Sequence, residues 1–461
     1  METINCFELT TIKNSKLPSE WQDSEALDGF SNFLQKNWEQ RAALFNDGQT
    51  SGRQQFIEFT ANSGIKTQNY IGTIIYKGNK LNIFPKVFRE DIDDNDTSDL
   101  DIKHLMKNIV QWLDYCKKID YPFININNAL DNSEDLRDLF VTLYIRYVKS
   151  ALERSLFYTY DERTEDTNKL KGKLNVKDYI VNKIPNGKAD KFECSFSVFE
   201  LDNSLNRIIK YVCRYLINET SKQNLKDIRF ILGKLNEVSD VRCVPSDCDK
   251  VRLNKLQSHY KVILSLSKMF LINKTATYDL DNADSLCFLF PTEVLFEGFI
   301  GGFIQDVLHN KAKVRLQASE VSVFSDVLYK GHSLGKTIRM KHDILVEHET
   351  KGLFILDTKY KKVRRFDGSG DVRAIVNEEI KSSDIYQVLT YARARGSQDV
   401  YLLYPLFRFE DVEPDNPIGI STKEDGSEPI NVHLIRLPFI FEDDIEKTKT
   451  KLKSVIEGIF E

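Results

Sequence analysis

Apolar and polar residues follow different patterns in three stretches of the chain. Up to about residue 89 the apolar residues form short β-favouring runs, and residues 69–75 and 79–87 flank a turn sequence at 77–79 that predicts a hairpin. Pro85 has no amide hydrogen, so it restricts the second run to a sheet edge or to the end of a strand. The acidic run at residues 90–99 cannot cover a core face and predicts a solvated loop or linker.

From about residue 101 to 285 the apolar residues recur at helical spacing, so this stretch is predicted to be mostly helical. The predicted helices cover residues 102–118, 134–157, 204–221 and 251–270. Residues 170–176 lie between them and are predicted to be extended.

From residue 286 onwards helical and strand-like patterns are mixed, which is typical of an α/β domain with a central sheet. The predicted helices are residues 293–309, 382–395 and 442–456, and the predicted strands are 314–316, 337–346, 352–360, 400–404 and 432–435. We therefore predict an α+β multidomain protein. Its predicted parts are a β-rich N-terminal domain (1–100), a mostly helical middle domain (101–285) and a C-terminal α/β domain (286–461) with a central mixed sheet.

The composition of the 461 residues, 41% hydrophobic and 29% charged, is that of a soluble globular protein. No apolar run reaches the roughly 18 residues that a membrane span needs, and the first residues lack the pattern of a secretory signal. The seven cysteines are scattered and suggest no disulfide framework. We therefore expect a cytoplasmic protein.

The formal net charge of −5 argues against a protein that coats nucleic acid by bulk attraction. It does not exclude a nuclease, because a nuclease needs only a local basic patch and a metal, and a partner can supply affinity for DNA.

Two neighbouring predicted strands carry the candidate chemistry. Residues 352–360 are apolar on both faces until their end, which indicates an interior strand, and Asp357 and Lys359 share a face because they are two residues apart. The preceding strand carries Asp343, which a hairpin at residues 347–351 would bring near Asp357. Two carboxylates and a lysine suit Mg²⁺-dependent phosphodiester hydrolysis. The alternative is a surface hairpin with ordinary Asp–Lys pairing.

Two predicted helices add further candidates. Glu297 shares one helical stripe with Ile300 and Ile304, where an unpaired carboxylate is costly. It either joins the metal site or is paired with an arginine or lysine at the edge of the core. Gln387 and Tyr391 lie one helical turn apart and face the same way. Each either packs in the core or approaches the phosphate.

A basic run follows the candidate site directly. Its members are Lys361, Lys362, Arg364 and Arg365. Such a run is either a solvated face or, next to a nuclease-like strand, a contact for DNA phosphates.

Two other signals are weak. Residues 331–337 nearly match a phosphate-binding loop, but only three residues separate the glycines where four are needed, and a strand follows where the motif needs a helix. We interpret them as a hairpin connection, so that any nucleotide would be bound by a partner. His342 precedes Asp343, but strand alternation places the two side chains on opposite faces, which favours packing over metal binding.

The order of these residues resembles that of a known nuclease superfamily. Asp343, then Asp357 and Lys359, then Gln387 and Tyr391, resemble the PD-(D/E)XK superfamily. More specifically, residues 356–361 and 386–392 are similar to the nuclease domain of the McrC family, the cleavage subunits of McrBC-type modification-dependent restriction systems.

Other segments resemble the same family in the same order. Residues 70–74 and 81–86 resemble its N-terminal domain, and residues 170–174 and 201–207 resemble its middle region. The resemblance covers most of the chain. It departs from the family at His342, where a proline usually stands.

The resemblance implies a role for each candidate and a partner for the chain. The implied Mg²⁺ ligands are Asp343, Asp357 and Glu297. Lys359 would assist the attacking water, with support from Gln387 and Tyr391. The N-terminal domain would dock on a hexameric AAA+ GTPase of the McrB type and stimulate its hydrolysis, and that partner would bind the GTP or ATP. The target would be modified double-stranded DNA, as in 5-methylcytosine restriction and defence against phage.

Two functions remain open. The first is a Mg²⁺-dependent DNA endonuclease that works with the motor, which the intact set of Asp343, Asp357 and Lys359 favours. The alternative is a non-cleaving activator or adaptor of the motor with a weak or inactive nuclease centre. A serine hydrolase is disfavoured because no G-x-S-x-G elbow is found.

Overall fold

The computed structural model describes residues 2–40, 52–60, 64–89, 97, 101–116, 136–217, 220, 222–254, 257, 259–277, 285–318, 328–329, 332–333, 340–363, 376, 378–408, 418–422, 429–442 and 444–460. Its strands are β1 (Thr3–Phe7), β2 (Thr11–Ile12), β3 (Ile57–Phe59), β4 (Ile65–Thr67), β5 (Tyr70–Tyr76), β6 (Asn79–Phe84), β7 (Thr159–Thr167), β8 (Lys173–Leu174), β9 (Phe192–Glu200), β10 (Leu286–Pro291), β11 (Ala312–Ala318), β12 (Leu328–Tyr329), β13 (His332–Ser333), β14 (His342–His348), β15 (Gly352–Thr358), β16 (Asp399–Pro405), β17 (Ile418–Ser421) and β18 (Asn431–Leu437). Its principal helices are α1 (Ser24–Gln40), α2 (Ile102–Tyr115), α3 (Leu136–Arg154), α4 (Ser204–Leu216), α5 (Lys222–Lys234), α6 (Pro245–Lys250), α7 (Tyr260–Thr277), α8 (Thr292–Val307), α9 (Ser382–Arg395) and α10 (Ile445–Ile459).

The chain forms two compact units. The first unit combines Met1–Asp131 with Leu280–Glu461, and the second unit is Asn132–Asp279. The first unit joins the N-terminal and C-terminal regions, so it does not follow the predicted boundaries at 100/101 and 285/286. The two regions are linked because β10 pairs with a strand of the N-terminal sheet and α2 packs against the C-terminal region.

The N-terminal sheet of the first unit has the strand order β1–β6–β5–β10. β5 and β6 form the predicted hairpin, which turns through Lys77 and Gly78 at positive φ (49° and 76°). β6 ends at Phe84, directly before Pro85, and lies inside the sheet rather than at an edge. β10 was not predicted. It pairs antiparallel with β5 and so ties the start of the C-terminal region to the N-terminal sheet.

α2 is built into the same unit through close packing. A Cβ added at Gly302 in α8 would lie 1.9 Å from the carbonyl oxygen of Tyr115, so this contact with the end of α2 requires glycine. On α2 itself, Trp112 stacks on Phe439 with ring centroids 4.0 Å apart and donates a hydrogen bond to its carbonyl oxygen (2.7 Å). The helix predicted at 102–118 is confirmed over residues 102–115, and it packs against the C-terminal region.

The C-terminal sheet has six strands in the order β11–β14–β15–β16–β18–β17. β15, β16 and β18 are parallel neighbours, and the remaining pairs are antiparallel, so the predicted mixed sheet is confirmed. α9 lies between β15 and β16 in sequence, as a parallel connection requires. Its Val388 and Ala392 share one apolar cluster with Leu345, Ile355 and Val400 of the sheet.

The second unit combines helices with a small sheet. Its helices are α3 to α7, and its sheet has the order β7–β9–β8. β7 pairs with β9 over nine residues, from Thr159 opposite Glu200 to Thr167 opposite Phe192. The helices predicted near α3 and α4 are confirmed. The prediction of a mostly helical stretch missed this sheet, apart from the extended segment that contains β8.

Several further expectations are checked by the described residues. No described helix has both the length and the apolar character to cross a membrane. The seven cysteines are free and buried. Residues 331–337 are the segment that nearly matches a phosphate-binding loop. The structure describes only residues 332–333 of this segment, as strand β13, which pairs with β12. The acidic run at 90–99 lies outside the described residues except for Thr97.

Candidate functional site

Two carboxylates meet near the ends of the central strands β14 and β15. Ile344 pairs with Leu356 in the antiparallel ladder, so continuing the register by one residue sets Asp343 opposite Asp357 on one face. Asp357 is buried (1% exposed) at the end of an apolar strand. The predicted approach of these two residues is thus present in the structure.

Asp343 is held by the residue that follows Asp357. The backbone amide and the hydroxyl of Thr358 both donate hydrogen bonds to Oδ2 of Asp343, each at 2.9 Å. These bonds fix the side chain of Asp343 across the gap between the strands.

Both carboxylates have raised pKa values. Burial raises the pKa of Asp343 to about 7, and the charges of Asp357 and Glu297 add to the effect. Burial also raises the pKa of Asp357, although Lys359 opposes the shift. The pair is therefore a concentration of negative charge that the surrounding residues only partly offset.

Lys359 joins the carboxylates to helix α9. Its Nζ lies 2.6 Å from Oδ2 of Asp357 and donates a hydrogen bond to Oε1 of Gln387 (3.0 Å). Nε2 of Gln387 donates to the hydroxyl of Tyr391 (2.8 Å), which in turn donates to the carbonyl oxygen of Lys341 (3.0 Å). Burial acts to lower the pKa of Lys359, but the carboxylates of Asp357, Asp343 and Asp384 together outweigh burial, and the net shift is upward. The lysine is therefore a positioned cation at neutral pH.

Gln387 and Tyr391 connect the two sides of the site. Gln387 reaches Lys359 directly, whereas Tyr391 holds Gln387 and ends on the backbone just before Asp343. The prediction left both residues open between core packing and the site, and the structure brings both into the hydrogen-bond network of Lys359.

Glu297 approaches the pair from α8 but is engaged elsewhere. Its Oε1 accepts a hydrogen bond from Nε2 of Gln317 (3.1 Å). Its charge raises the pKa values of Asp343 and Asp357. Within the described residues no three His, Cys, Asp or Glu side chains converge closely enough to hold a metal ion together. The role of Glu297 as a third ligand stays a prediction.

Three residues near the site were not found from the sequence. Gln317 lies opposite Asp343 in the β11–β14 register, with a positive φ of 51°. Asp384, at the start of α9, is buried, and its charge raises the pKa of Asp357. Thr358 holds Asp343. The sequence offered little signal for them beyond nearness to other candidates, because only the folded chain brings them to the carboxylates.

The basic run is partly described. Nζ of Lys361 donates to Oδ2 of Asp384 (2.6 Å), and Nζ of Lys362 lies 5.3 Å from the centroid of the Phe407 ring. Arg364 and Arg365 lie outside the described residues. The described part therefore has partners within the chain, and its role in DNA binding stays a prediction.

His342 packs beside the site. Its ring is buried 4.5 Å from the ring of Tyr391, and its Nδ1 lies 3.1 Å from the carbonyl oxygen of Ala318. Burial lowers its pKa. The expectation that His342 serves packing agrees with this environment.

The chain is similar to proteins of one family. The family model described as McrBC 5-methylcytosine restriction system component matches residues 65–405. Among solved structures, it is similar to a half-complex from the tetradecameric assembly of Thermococcus gammatolerans McrB AAA+ hexamers with bound McrC, with a TM-score of 0.67, 18% identity and coverage of 99% of this chain and 100% of that chain. A second similar chain comes from the Thermococcus gammatolerans McrBC complex, with a TM-score of 0.47, 20% identity and coverage of 68% and 89%. No curated protein matches.

Proposed function

Because this chain belongs to the family of McrBC 5-methylcytosine restriction system components, we propose that it is the Mg²⁺-dependent DNA endonuclease subunit of a McrBC-like restriction system. One observation carries this proposal: Asp343, Asp357 and Lys359 lie together at one end of the C-terminal sheet. Restriction of phage DNA would be its role in the cell.

The C-terminal region is proposed to be a PD-(D/E)XK nuclease domain. In support, the acidic residue of one strand, the Asp–x–Lys pair of the next and the Gln387–Tyr391 pair of a following helix form one hydrogen-bonded site. The mixed sheet with its crossover helix α9 supports the same assignment.

The two aspartates suit a magnesium ion. Oδ1 of Asp357 is buried without a hydrogen-bond partner among the described residues, which is costly for a carboxylate unless a cation offsets it. Mg²⁺ is usually held by one or two carboxylates together with water and phosphate, so Asp343 and Asp357 would be its ligands and Glu297 a candidate third. When bound, Mg²⁺ would lower the pKa of a water molecule and offset charge on the phosphate.

Lys359 would act as a cation rather than as a base. Its raised pKa keeps it protonated near pH 7, so it can donate hydrogen bonds to the attacking water and to phosphate oxygens. Gln387 would limit its rotation by accepting one of its hydrogen bonds. Gln317 would orient Glu297 in the same way.

The partner is proposed to be an AAA+ motor of the McrB type. The solved half-complex contains McrB AAA+ hexamers with bound McrC, and this chain shares the fold of a chain in it along nearly its whole length. We infer that this chain stimulates GTP or ATP hydrolysis by such a hexamer, and that the complex cuts modified double-stranded DNA in the cytoplasm.

Two surfaces are candidates for the motor contact. The sequence resemblance assigns docking to residues 1–100. The described structure instead concentrates exposed apolar side chains in the second unit, at Val176, Ile180, Val181 and Ile184, each about half exposed or more. Exposed apolar clusters of this kind mark protein contacts. We name these four residues the 176–184 apolar segment and propose it as a second docking surface.

The proposal is tested by DNA cleavage with the purified chain and its McrB-like partner, with Mg²⁺ and either GTP or ATP. Methylated and unmethylated DNA are compared, with Asp357→Ala as the control. Nucleotide-dependent cleavage that the control lacks would support the nuclease. Stimulated hydrolysis without cleavage would instead support the alternative, a non-cleaving activator or adaptor of the motor.

A further inference from the structure

A buried polar cluster joins the N-terminal sheet to the end of the candidate catalytic strand. At its centre is Glu8, which follows β1 and is fully buried. Its Oε1 accepts a hydrogen bond from the amide of Lys86 (2.9 Å), and its Oε2 accepts one from the hydroxyl of Thr292 (2.7 Å). A buried carboxylate needs such donors to offset its lost hydration.

Tyr360 contacts both Lys86 and Glu8. Nζ of Lys86 is 4.4 Å from the centroid of its ring, at the distance of a cation–π contact. Its hydroxyl is buried beside the carboxylate of Glu8, and burial and this carboxylate raise the pKa of the hydroxyl well above its ordinary value. Lys86 and Tyr360 belong to two segments, 81–86 and 356–361, that are far apart in the sequence and meet here.

The anchored tyrosine directly follows Lys359 in the chain. The amide of Lys359 donates to the carbonyl oxygen of Leu403 (2.8 Å), and the amide of Lys361 donates to the carbonyl oxygen of Lys359 (2.8 Å). The backbone of Lys359 is thus fixed by the sheet on one side and by Tyr360 on the other. A shift of Tyr360 would therefore move the Cα atom of Lys359, from which its side chain extends.

We propose that Glu8 and Lys86 are positioning residues for the nuclease site, and that they act on Lys359 through Tyr360. This inference rests on the proposed nuclease function. The N-terminal sheet is then part of the cleavage machinery as well as a candidate docking region.

The test uses full-length protein with its McrB-like partner, Mg²⁺, nucleotide and methylated DNA. The variants are Glu8→Gln and Lys86→Met, which keep the side-chain volume and remove a charge, and Tyr360→Leu, which removes the ring. Misplacement of a reacting group by about an ångström can cost on the order of a hundredfold in rate, so each variant is expected to lower kcat for cleavage by roughly tenfold or more. KM for DNA and motor stimulation should change little.

A control separates positioning from simple stability. Phe30→Leu removes packing in the N-terminal core, where Phe30 is buried against Trp21 and Tyr76. It should lower the melting temperature without lowering kcat per folded molecule.

The outcomes distinguish the two proposals. If Glu8→Gln, Lys86→Met and Tyr360→Leu reduce cleavage and motor stimulation in parallel with the folded fraction, the cluster is only structural and the positioning role is wrong. Normal kcat in these variants would also overturn it. If the wild-type protein itself fails to cut, the nuclease proposal fails first.

Discussion

The C-terminal sheet of the first unit and the small sheet of the second unit use their side chains in opposite ways. In the first, strands such as β16 are apolar and almost entirely buried, and charged side chains gather at one end of the sheet, where Asp357 is almost completely buried. In the second, β7 is polar along its length, and apolar residues such as Tyr160 (75% exposed) lie at the surface.

The difference underlies the proposed division between a catalytic centre and a surface that binds the motor. Burial raises the pKa values of a pair of carboxylates and strengthens the electrostatic interactions around them, which suits catalysis. Exposed apolar side chains contribute free energy only when another surface covers them, which suits docking. We therefore expect changes at the carboxylates of the C-terminal sheet to affect cleavage alone. Changes in the exposed apolar residues of the second unit should affect motor stimulation.

The largest effect is expected from Asp357→Asn. The substitution keeps the shape of the side chain but removes a charge that would hold the metal. Cleavage should fall by at least about a hundredfold, whereas motor stimulation should persist. Both rates can be followed in one reaction on methylated plasmid DNA. Loss of both activities together would mean that the variant had unfolded or that the two functions are not separate.

The second largest effect is a loss of motor stimulation, expected from substitutions in the 176–184 apolar segment. Ile180→Ser combined with Ile184→Ser should lower motor stimulation by roughly tenfold, because both side chains are exposed and would be covered only by the partner. Stability should change by less than about 0.5 kcal/mol. Val241→Ser is the matched control, since Val241 is also exposed in the second unit but lies outside the segment. Normal stimulation by the double variant would return the docking role to residues 1–100.

Close helix packing in the first unit predicts a clear effect on stability. Gly302→Ala places a Cβ against the backbone of Tyr115 and should lower the free energy of unfolding by about 1–3 kcal/mol or more. Gly458→Ala in α10 is the matched control, because nothing lies within 4 Å of an added Cβ there. It should be neutral or stabilising by up to about 1 kcal/mol. Urea unfolding of both variants measures the contrast, and equal midpoints would show that α2 and α8 do not pack this closely.

The raised pKa of Asp343 predicts how the free energy of unfolding depends on pH. Its pKa in the folded protein, about 7, is above the ordinary 3.8, so its contribution to stability is present at low pH and is lost as the pH rises towards and through 7. Asp343→Asn removes this dependence. From pH 5 to pH 8, without metal, the wild type should lose roughly 2–3 kcal/mol of stability relative to the variant.

Magnesium should reverse that effect in the wild type, because it binds the deprotonated carboxylate. Chemical denaturation at the two pH values, with EDTA or with Mg²⁺, provides the comparison. An identical pH slope in wild type and variant would show that Asp343 does not titrate in this range.

The smallest effect on activity is expected from Gln317→Gly. Glycine accepts the positive φ at this position more easily than glutamine, so stability should change by less than about 1 kcal/mol. Cleavage should still slow several-fold, because Glu297 loses the hydrogen bond from Gln317. Unchanged cleavage would show that Gln317 does not contribute to the function of the site.

The sequence predicted the C-terminal sheet better than the rest of the fold. β14, β15 and β16 are apolar runs, and α9 ends at Gly396 in the left-handed conformation, so local pattern and final structure agree there. β7 was missed because its charged residues show no apolar alternation, and its pairing with β9 forms only in the folded chain. β10 was missed because its partner β5 is distant in sequence.

The candidate site was predicted in its strand residues but not in its supporting contacts. The spacing of Asp357 and Lys359 fixed their shared face, and the hairpin placed Asp343 nearby. The contacts of Gln317, Asp384 and Thr358 depend on how three strands and two helices come together, which no local pattern contains.

The nuclease centre is separated from the motor contact most directly by measuring DNA cleavage and nucleotide hydrolysis in the same reaction for Asp357→Asn and for Ile180→Ser with Ile184→Ser. We expect the first variant to keep stimulated hydrolysis and lose cleavage. We expect the second to lose stimulated hydrolysis and all cleavage that depends on it while remaining folded. Cleavage by Asp357→Asn at the wild-type rate would contradict the assignment of the catalytic centre.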